Sequence, residues 1–350
     1  MITRPVRVTI VERVTARTAT GSTVVEKPVQ TRYATIKQLS AQGRAIYQQL
    51  KSEATYEFLF RDTPDPAIEL GKHLIRHGSR DYEPLAPMTA KVIESMTKCK
   101  VISRYGVGYD NVEVEVCTKK KIYVANVPDY CMEDVSDHAM ALFFSCVRRI
   151  TLRDKQVRQG EWNMDRSEIC RIKGKVFALI GFGNIARCLL GKLSGLGLKK
   201  ILVYDPYVSK ETIEAMGAQK ADFKTALSEA DYISLHMPVT TETRGIIDEK
   251  AFSLMKNTAI LINTARGPLI VEEALINALL SRKIACAGLD THNKEPLLAD
   301  SPLMKMDNCI LTDHVGFFSV ESMIELHTKI AQNIKAVLEG GKPIYPVNKF

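Results

Sequence analysis

The stretch KVFALIGFGNIA, residues 175–186, decides the fold of this chain. It predicts a strand from Lys175 to Ile180 that leads into a helix through two glycines and Ala186, spaced G-x-G-x-x-A. Gly181 permits a tight turn, and Gly183 lets backbone N–H groups approach a phosphate at the positive end of the helix dipole. The stretch therefore predicts a phosphate-binding turn between a buried strand and its crossover helix.

Downstream of this turn, short β-branched runs alternate with helical patterns as far as residue 314. The strand-like runs are KKILVYDP, DYISLHMP, TAILINTARG, KIACAGLD and CILTDH. Strands and helices that alternate in this way form a parallel sheet covered on both faces. This half is predicted to be a doubly wound α/β domain of the Rossmann type.

A second, less regular α/β pattern precedes it, with apolar runs at residues 56–60, 73–75, 100–103 and 121–124. The 350 residues suggest about two domains. We expect a long helix over Glu133–Ile150 to lead into the second domain and a last helix over Ser319–Leu338 to return to the first. The predicted domains are a discontinuous one of residues 1–124 and 318–350, flavodoxin-like, and one of residues 125–317.

The first 35 residues differ in character. Val6–Val14 and Thr23–Val29 are predicted strands of a hairpin around Gly21-Ser22. The sequence assigns this segment no function.

The composition is that of an ordinary globular protein, with 45% hydrophobic and 25% charged residues. The net charge of +8 is spread along the chain, as expected of a solvated surface; a mild attraction for anionic substrates is the alternative. A basic stripe with interleaved aromatic residues is absent, so no nucleic-acid partner is expected. Apolar runs fall short of the ~20 residues of a membrane span, and the first residues lack a signal-peptide core. We expect a cytoplasmic protein without a membrane partner.

The eight cysteines lack the paired short spacing of zinc or redox motifs. Most are expected to be buried thiols, and none has the surroundings of a nucleophile. No metal site is predicted.

An acidic residue, Asp205, ends the strand after the glycine turn, at about the 20-residue distance that a dinucleotide fingerprint requires. A carboxylate there accepts hydrogen bonds from the adenosine ribose and repels a 2′-phosphate, which favours NAD over NADP. The alternative is a glycine turn with an unrelated acidic residue.

A nicotinamide cofactor needs a group that moves a proton as the hydride moves and another that holds the substrate. Histidine is suited to the first task near neutral pH. Of the seven histidines, His236, His292 and His314 lie near the carboxyl ends of predicted strands, where ligands bind in open α/β sheets.

Several sequence blocks resemble the signatures of the D-isomer-specific 2-hydroxyacid dehydrogenases, in order and in spacing. They are RYGVGYDNVEVE, GFGNIA, INTARGPLIVEEAL, GLDTHNKEP and LTDHVG. The segment NVPDYCMEDVSDHAMAL further resembles the branch that includes the C-terminal-binding-protein corepressors, their enzyme relatives such as hydroxypyruvate reductases, and phosphoglycerate dehydrogenase-like enzymes. The resemblance covers residues 101–318.

This resemblance implies a catalytic trio of Arg266, Glu295 and His314. Arg266 would hold the substrate carboxylate and 2-oxo oxygen with its planar fork. His314 would donate a proton to that oxygen and take it back in the oxidative direction. Glu295 would orient the imidazole and favour its protonated form. The alternative is three residues in unrelated surface ion pairs.

The family pattern implies further contacts. The Gly106-Val107-Gly108 loop would meet the substrate carboxylate through backbone N–H groups, although a simple hinge turn explains it nearly as well. Arg76, Ser79 or Arg80 is the candidate for a first-domain substrate loop. His236 would shape the adenosine or ribose pocket, or would have only a structural role. The remaining cofactor contacts are predicted at Gly181, Gly183, Asn184, Ile185, Pro238, Thr264, Ala265 and Asp290.

Some residues depart from the family pattern. Asp313 and Gly316 replace the usual Pro and Ala, and Phe317 and Phe318 follow, which puts the identity of the substrate in doubt. His292 stands where many relatives have an apolar residue and is interpreted as a local packing variant, with a second acid as the alternative.

The sequence therefore predicts a two-domain, dimeric NAD-dependent D-2-hydroxyacid dehydrogenase with its active site in a closing cleft. The arm from Glu133 to about Ile172 is the segment expected to cross between subunits. An NAD-sensing, corepressor-like scaffold is the alternative from another class. Formate dehydrogenase ranks below both, because its relatives carry Gln in place of Glu295, whereas phosphoglycerate dehydrogenase remains a substrate variant. The substrate itself and the direction of the reaction are not predicted.

Overall fold

The computed structural model describes residues 5–18, 21–35, 88–97, 99–162 and 169–350, and elements are numbered within these ranges. The chain divides into two compact units, residues 1–76 and 77–350. The predicted strands at 56–60 and 73–75 and the candidates Arg76, Ser79 and Arg80 lie outside the described residues. Among the helices that the structure describes, none has the length and apolar character needed to cross a membrane.

A two-stranded antiparallel sheet forms near the N-terminus. Strand β1, Pro5–Thr18, pairs with β2, Gly21–Thr35, with one register shift between Ile10 and Val11. The predicted hairpin is confirmed, but the predicted turn is wrong, because Gly21 already pairs with Thr18 inside the ladder. Threonine and valine favour extended backbone, and β2 accordingly begins at Gly21, within the predicted turn.

A small parallel pair lies between residues 88 and 125. Helix α1, Ala90–Ser95, precedes β3, Val101–Ser103, and helix α2, Val114–Lys119, precedes β4, Tyr123–Ala125. Strands β3 and β4 pair in parallel, as expected for strands separated by a helix. The C-terminal residues return to this pair, since the Val124 N–H donates to Asn348 Oδ1 over 2.7 Å.

The predicted long helix is divided in two. Helix α3 covers Met132–Arg148 and α4 covers Ile150–Arg158, with Arg149 between them in the left-handed region at φ 54°. The prediction of one helix through Ile150 is therefore wrong at its C-terminal end. The last helix, α10, covers Val320–Leu338 and begins after Ser319, whose hydroxyl accepts from the Ser322 N–H.

Seven strands form the central sheet, and every pairing in it is parallel. They are β5 Val176–Ile180, β6 Lys200–Tyr204, β7 Gln219–Lys220, β8 Tyr232–Leu235, β9 Ile260–Asn263, β10 Cys286–Leu289 and β11 Cys309–Leu311. Their order is β11-β10-β9-β8-β5-β6-β7, which confirms the predicted doubly wound sheet. From β5 the chain adds β6 and β7 on one side and β8 to β11 on the other, so the strand order reverses between β5 and β8 and a ligand crevice is expected at their carboxyl ends.

Helices cover both faces of this sheet. They are α5 Asn184–Leu193, α6 Lys210–Ala215, α7 Phe223–Glu229, α8 Glu249–Leu254 and α9 Glu272–Leu280. Because side chains alternate along β5, Phe177 packs with α3 and α5 on one face, and Ala178 packs with α7 to α9 on the other. Phe143 of α3 lies edge-on to Phe177 and Tyr232, with ring centroids 5.3 and 4.8 Å apart.

All eight cysteines are free, and four of them are fully buried: Cys117, Cys131, Cys146 and Cys286. Cys99, Cys188 and Cys309 are partly exposed and Cys170 is exposed, so the predicted burial holds for half of the cysteines and not for most of them. Burial raises the pKa of the Cys131 thiol to about 12, which keeps it protonated and unreactive near neutral pH. Among the described residues, no group of three histidine, cysteine or acidic side chains is arranged to hold a metal ion.

Candidate active site

The glycine turn joins β5 to α5 at the point where the strand order reverses. Gly181 has φ 95°, and a Cβ atom there would lie 2.5 Å from the carbonyl oxygen of His236 on the neighbouring strand end, so only glycine fits. Gly183 is the N-cap of α5 and has open space around its Cβ position. The first N–H groups of α5, from Asn184 and Ile185 onward, have no partner within the helix and are available to a phosphate.

Asp205 follows β6 and lies against this turn. Its Oδ2 accepts from the Phe182 N–H over 2.8 Å, and its Oδ1 accepts from the N–H groups of Tyr207 and Val208 over 2.9 and 3.1 Å. These three bonds fix the carboxylate beside the glycines. The glycine turn, the helix N-terminus and this acceptor together fit the pyrophosphate and ribose of a dinucleotide.

His236 lies at the carboxyl end of β8, next to Gly181. Its Nε2 is 2.8 Å from the Ser234 hydroxyl, and burial lowers the pKa of its imidazole to about 4. His236 is therefore neutral near pH 7 and unsuited to be the proton donor. Pro238 follows in the same loop, and its carbonyl accepts from the Thr243 hydroxyl over 2.6 Å.

Arg266 follows β9, and Asn263, the last residue of that strand, fixes the backbone around it. Asn263 donates from Nδ2 to the Arg266 carbonyl over 2.8 Å and accepts from the Ala265 N–H over 3.0 Å. Thr264, between them, is buried, and its hydroxyl has no hydrogen-bond partner among the described residues. A polar group left in this position is suited to a ligand.

The guanidinium of Arg266 extends to the loop after β3. Nη1 donates to the Ala265 carbonyl over 2.8 Å, and Nε donates to Asp110 Oδ2 over 3.1 Å. The group passes over Gly108, where a Cβ atom would lie 1.6 Å from Nη2. The structure therefore brings together Arg266 and the Gly106-Val107-Gly108 loop, two parts of the predicted site.

Glu295 and His314 form a direct pair. Glu295 Oε2 lies 2.7 Å from His314 Nδ1, which must donate to the carboxylate, so Nε2 is the ring nitrogen left for a reacting group. Glu295 Oε1 accepts from the His292 N–H over 2.9 Å. Burial raises the pKa of Glu295, but the hydrogen bond and charge of His314 outweigh burial and leave the pKa below its ordinary value. The carboxylate therefore stays ionised.

His314 is in the left-handed region, at φ 56°, where a non-glycine residue is strained. Asp290 holds this turn: its carboxylate accepts from the N–H groups of Val315 and Gly316, each over 3.0 Å, and from the Thr312 hydroxyl over 2.6 Å. A Cβ atom at Gly316 would lie 2.8 Å from Asp290 Oδ2, which explains the glycine in place of the family's alanine.

The remaining departures lie around the same turn. His292 Nε2 donates to the Thr312 carbonyl over 2.8 Å, so this residue braces the turn behind the pair. Phe317 is edge-on to the His314 ring at 6.2 Å between centroids, while Phe318 is 58% exposed. Asp313 is exposed as well.

Two site residues were missed from the sequence. His138 of α3 lies 3.2 Å from Asp290 Oδ1, although its helix position excluded it from the strand-end histidines. Asp110 was missed as the partner of Arg266. Its signal is present in RYGVGYDNVEVE, where Asp110 stands two residues after Gly108.

Replacing Asp290 with asparagine is expected to lower the thermal unfolding midpoint by about 5 °C at pH 7. Burial raises the pKa of Asp290, but hydrogen bonds from His138, Thr312 and Val315 outweigh burial and lower it to about 2. The lowered pKa is worth roughly 2 kcal/mol of folding free energy, present above pH ~4 and lost as the pH falls through about 2. The difference from wild type should therefore shrink on acidification. Asp307→Asn, in an exposed ion pair with Lys155, is the control; an equal loss in both variants would contradict the assignment.

A doubly wound sheet with a dinucleotide turn at its switch point, and an Arg, a Glu and a His after three neighbouring strands, define a nicotinamide-dependent dehydrogenase. The profile of the D-isomer specific 2-hydroxyacid dehydrogenases, NAD binding domain, matches residues 140–316. The chain belongs to the D-isomer specific 2-hydroxyacid dehydrogenase family.

Named relatives agree. A glyoxylate reductase of Thermococcus litoralis is 40% identical over 268 residues, which cover 74% of this chain and 80% of that protein. A D-3-phosphoglycerate dehydrogenase of Methanocaldococcus jannaschii is 40% identical over 72% of this chain, which spans 48% of that protein. The D-lactate dehydrogenase of Aquifex aeolicus, complexed with NAD and lactic acid, superposes with a TM-score of 0.67 at 29% identity, covering 72% and 80% of the two chains. The chain is an oxidoreductase of hydroxy acids and uses a nicotinamide dinucleotide.

Proposed function

We propose that this chain is an NAD-dependent reductase of small 2-oxo acids, with Arg266, Glu295 and His314 as its catalytic residues. The Glu295–His314 pair supports this most directly. The 2.7 Å contact leaves Nε2 of the imidazole without a partner among the described residues and places an ionised carboxylate behind the ring. That arrangement is suited to donating and accepting a proton.

The three residues follow adjacent strands of the sheet. Arg266 comes after β9, Glu295 after β10 and His314 after β11, so their side chains share the carboxyl edge. The loops after β9 and β10 pack closely at Gly267, where a Cβ atom would lie 2.0 Å from the His292 carbonyl carbon. His292 in turn donates to Glu295. This packing supports a single site.

In the proposed reaction, Arg266 binds the substrate carboxylate and polarises the 2-oxo group. His314 gives a proton from Nε2 to the 2-oxo oxygen, and Glu295 stabilises the ring in both protonation states. The dinucleotide, when bound, supplies the hydride to C2. Gly181, Gly183 and the N-terminus of α5 would hold its pyrophosphate, and His236 and Pro238 would line its adenosine side. Thr264, Ala265 and Asp290 are proposed at its nicotinamide end.

Two observations support the proposed homodimer and the proposed domain boundaries. Large apolar side chains are exposed along the arm from Glu133 to Ile172, as expected of a homodimer contact, and they are Phe144, Ile150, Val157 and Trp162. The profile match over residues 140–316 supports a nucleotide domain of residues 125–317. Residues 1–124 and 318–350 are proposed as the substrate domain.

The test is NADH oxidation, followed by its absorbance, with a panel of 2-oxo acids. Glyoxylate is tested first, because two of the relatives are glyoxylate reductases. Hydroxypyruvate, pyruvate, phenylpyruvate and branched-chain analogues follow. Turnover that yields the D-hydroxy product is the expected result. Tight NADH binding with no turnover across the panel would overturn the proposal.

Asp205→Ala is expected to lower the preference for NAD over NADP by about 10- to 100-fold, the effect of losing a hydrogen bond to a charged group together with the repulsion of a 2′-phosphate. The ratio of the two kcat/KM values is the measurement. This ratio separates recognition of the ribose from a general loss of activity. Asp205 also accepts from the Phe182 N–H, so its removal disturbs the glycine turn for both cofactors alike. Glu214→Ala, an exposed carboxylate on α6, is the control. An unchanged ratio in the Asp205 variant would refute the ribose contact.

A further inference from the structure

We propose that Asp110 is a positioning residue that sets the guanidinium of Arg266 for the substrate carboxylate. The inference deepens the proposed function and rests on it, since it gives Arg266 the substrate. Asp110 belongs to the loop after β3, whereas Arg266 follows β9, so the contact joins two distant parts of the chain.

The backbone of Arg266 is fixed without Asp110. Asn263 holds it from one side, and Gly267 packs against the backbone of His292 on the other. The side chain is less constrained, because an arginine has many rotamers and its contacts must overcome the entropy of fixing one of them. The hydrogen bond from Nη1 to the Ala265 carbonyl holds one side of the guanidinium, but this single bond lets the fork rotate, so a second anchor is needed to fix its orientation.

The loop after β3 provides this anchor. Gly108 leaves room for the guanidinium to pass, and Asp110 Oδ2 accepts from Nε over 3.1 Å. The two side chains are 27% and 36% exposed, so solvent screens their attraction. The value of the contact therefore lies in the direction that it imposes on the fork.

The remaining donors are suited to a substrate. A guanidinium has five N–H donors. Within the described residues, Asp110 takes the one on Nε and the Ala265 carbonyl takes one on Nη1, which leaves three, including both on Nη2. These can meet a carboxylate and a 2-oxo oxygen.

The charge of Asp110 makes its role measurable. A carboxylate beside Arg266 repels an anionic substrate, so its removal should favour binding by charge alone. Its removal should also release the fork, which slows the step that needs orientation. Loss of the negative charge should lower KM, whereas loss of orientation should raise KM and lower kcat. If Asp110 is a positioning residue, kcat should therefore fall while KM changes less.

The experiment compares Asp110→Ala, Asp110→Asn and wild type in steady-state reduction of the best 2-oxo acid. Asp110→Ala is expected to lower kcat by about 10- to 100-fold, the cost of a small misplacement in an active site. Asp110→Asn should recover most of the rate, because the amide oxygen still accepts from Nε. Glu115→Ala, which removes an exposed carboxylate from α2, should remain close to wild type. Wild-type kinetics in Asp110→Ala, or a lower KM with an unchanged kcat, would overturn the proposal.

Crystal structures of wild type and Asp110→Ala without substrate provide a second reading that does not depend on turnover. The Arg266 side chain should lie over Gly108 in wild type and be displaced or disordered in the variant. An unmoved guanidinium would overturn the role of Asp110. Absence of turnover in wild type would instead overturn the proposed function, while the structural comparison would still decide what Asp110 does.

Discussion

His314→Ala is expected to lower kcat for 2-oxo acid reduction by about 10²- to 10⁴-fold, the usual contribution of a positioned acid or base. The variant loses the proton donor, while the glycine turn and Asp205 are untouched. NADH affinity, measured by fluorescence titration, should therefore stay near that of wild type. Both values come from one preparation, so the second serves as the control for folding.

The pH profile separates a proton donor from a merely structural histidine. Wild-type reduction should depend on pH, because proton transfer to the 2-oxo oxygen requires an acid that carries a proton. The residual rate of His314→Ala should not follow that profile. Glu295→Gln should fall between the two, since an amide can still orient the ring but does not stabilise its charge.

An unchanged kcat in His314→Ala would exclude this residue as the acid. Among the strand-end histidines, His292 would then be the next to test. Its Nε2 is already engaged with the Thr312 carbonyl, so it would have to reorganise to reach a substrate.

Arg266→Ala is expected to lower kcat/KM by at least about 10³-fold, because it removes both the carboxylate contact and a donor to the developing oxyanion. Arg266→Lys should recover only part of this loss. A lysine restores the charge but not the planar fork, which can bind two oxygens at once.

The control for this prediction is Lys335→Ala, which also removes one positive charge. Lys335 lies on the surface of α10, close to Glu339, and its removal should leave the kinetics unchanged. NADH should still bind to Arg266→Ala. Unaltered turnover in that variant would contradict the role of Arg266 in the site.

The sequence was sufficient for the nucleotide half because its signals are local. The turn at Gly181 needs a residue with φ 95° and no Cβ, and a buried strand shows as a continuous apolar run. Both properties depend on a few consecutive residues. Six of the seven strands of the parallel sheet are accordingly the predicted ones. The two-residue strand β7 at the sheet edge and the break of α3 at Arg149 had no comparable local signal.

The supporting contacts of the site are of another kind. Asp110 reaches Arg266 across 156 positions, and His138 reaches Asp290 from a helix on one face of the sheet. Neither spacing has a fixed pattern, because it depends on how long the intervening elements are and on how they pack. Sequence reasoning therefore predicted Arg266, Glu295 and His314 for the site and missed Asp110 and His138, which contact Arg266 and Asp290.

By itself, the sequence determined the doubly wound domain, the dinucleotide turn and the chemical types at three strand ends, since each depends on residues adjacent in the chain. Tertiary structure alone decided which nitrogen of His314 contacts Glu295, that burial lowers the pKa of His236, and that Arg266 donates to Asp110. Hydrogen-bond partners and burial are set by groups far apart in sequence, and these determine the charge and orientation of a side chain.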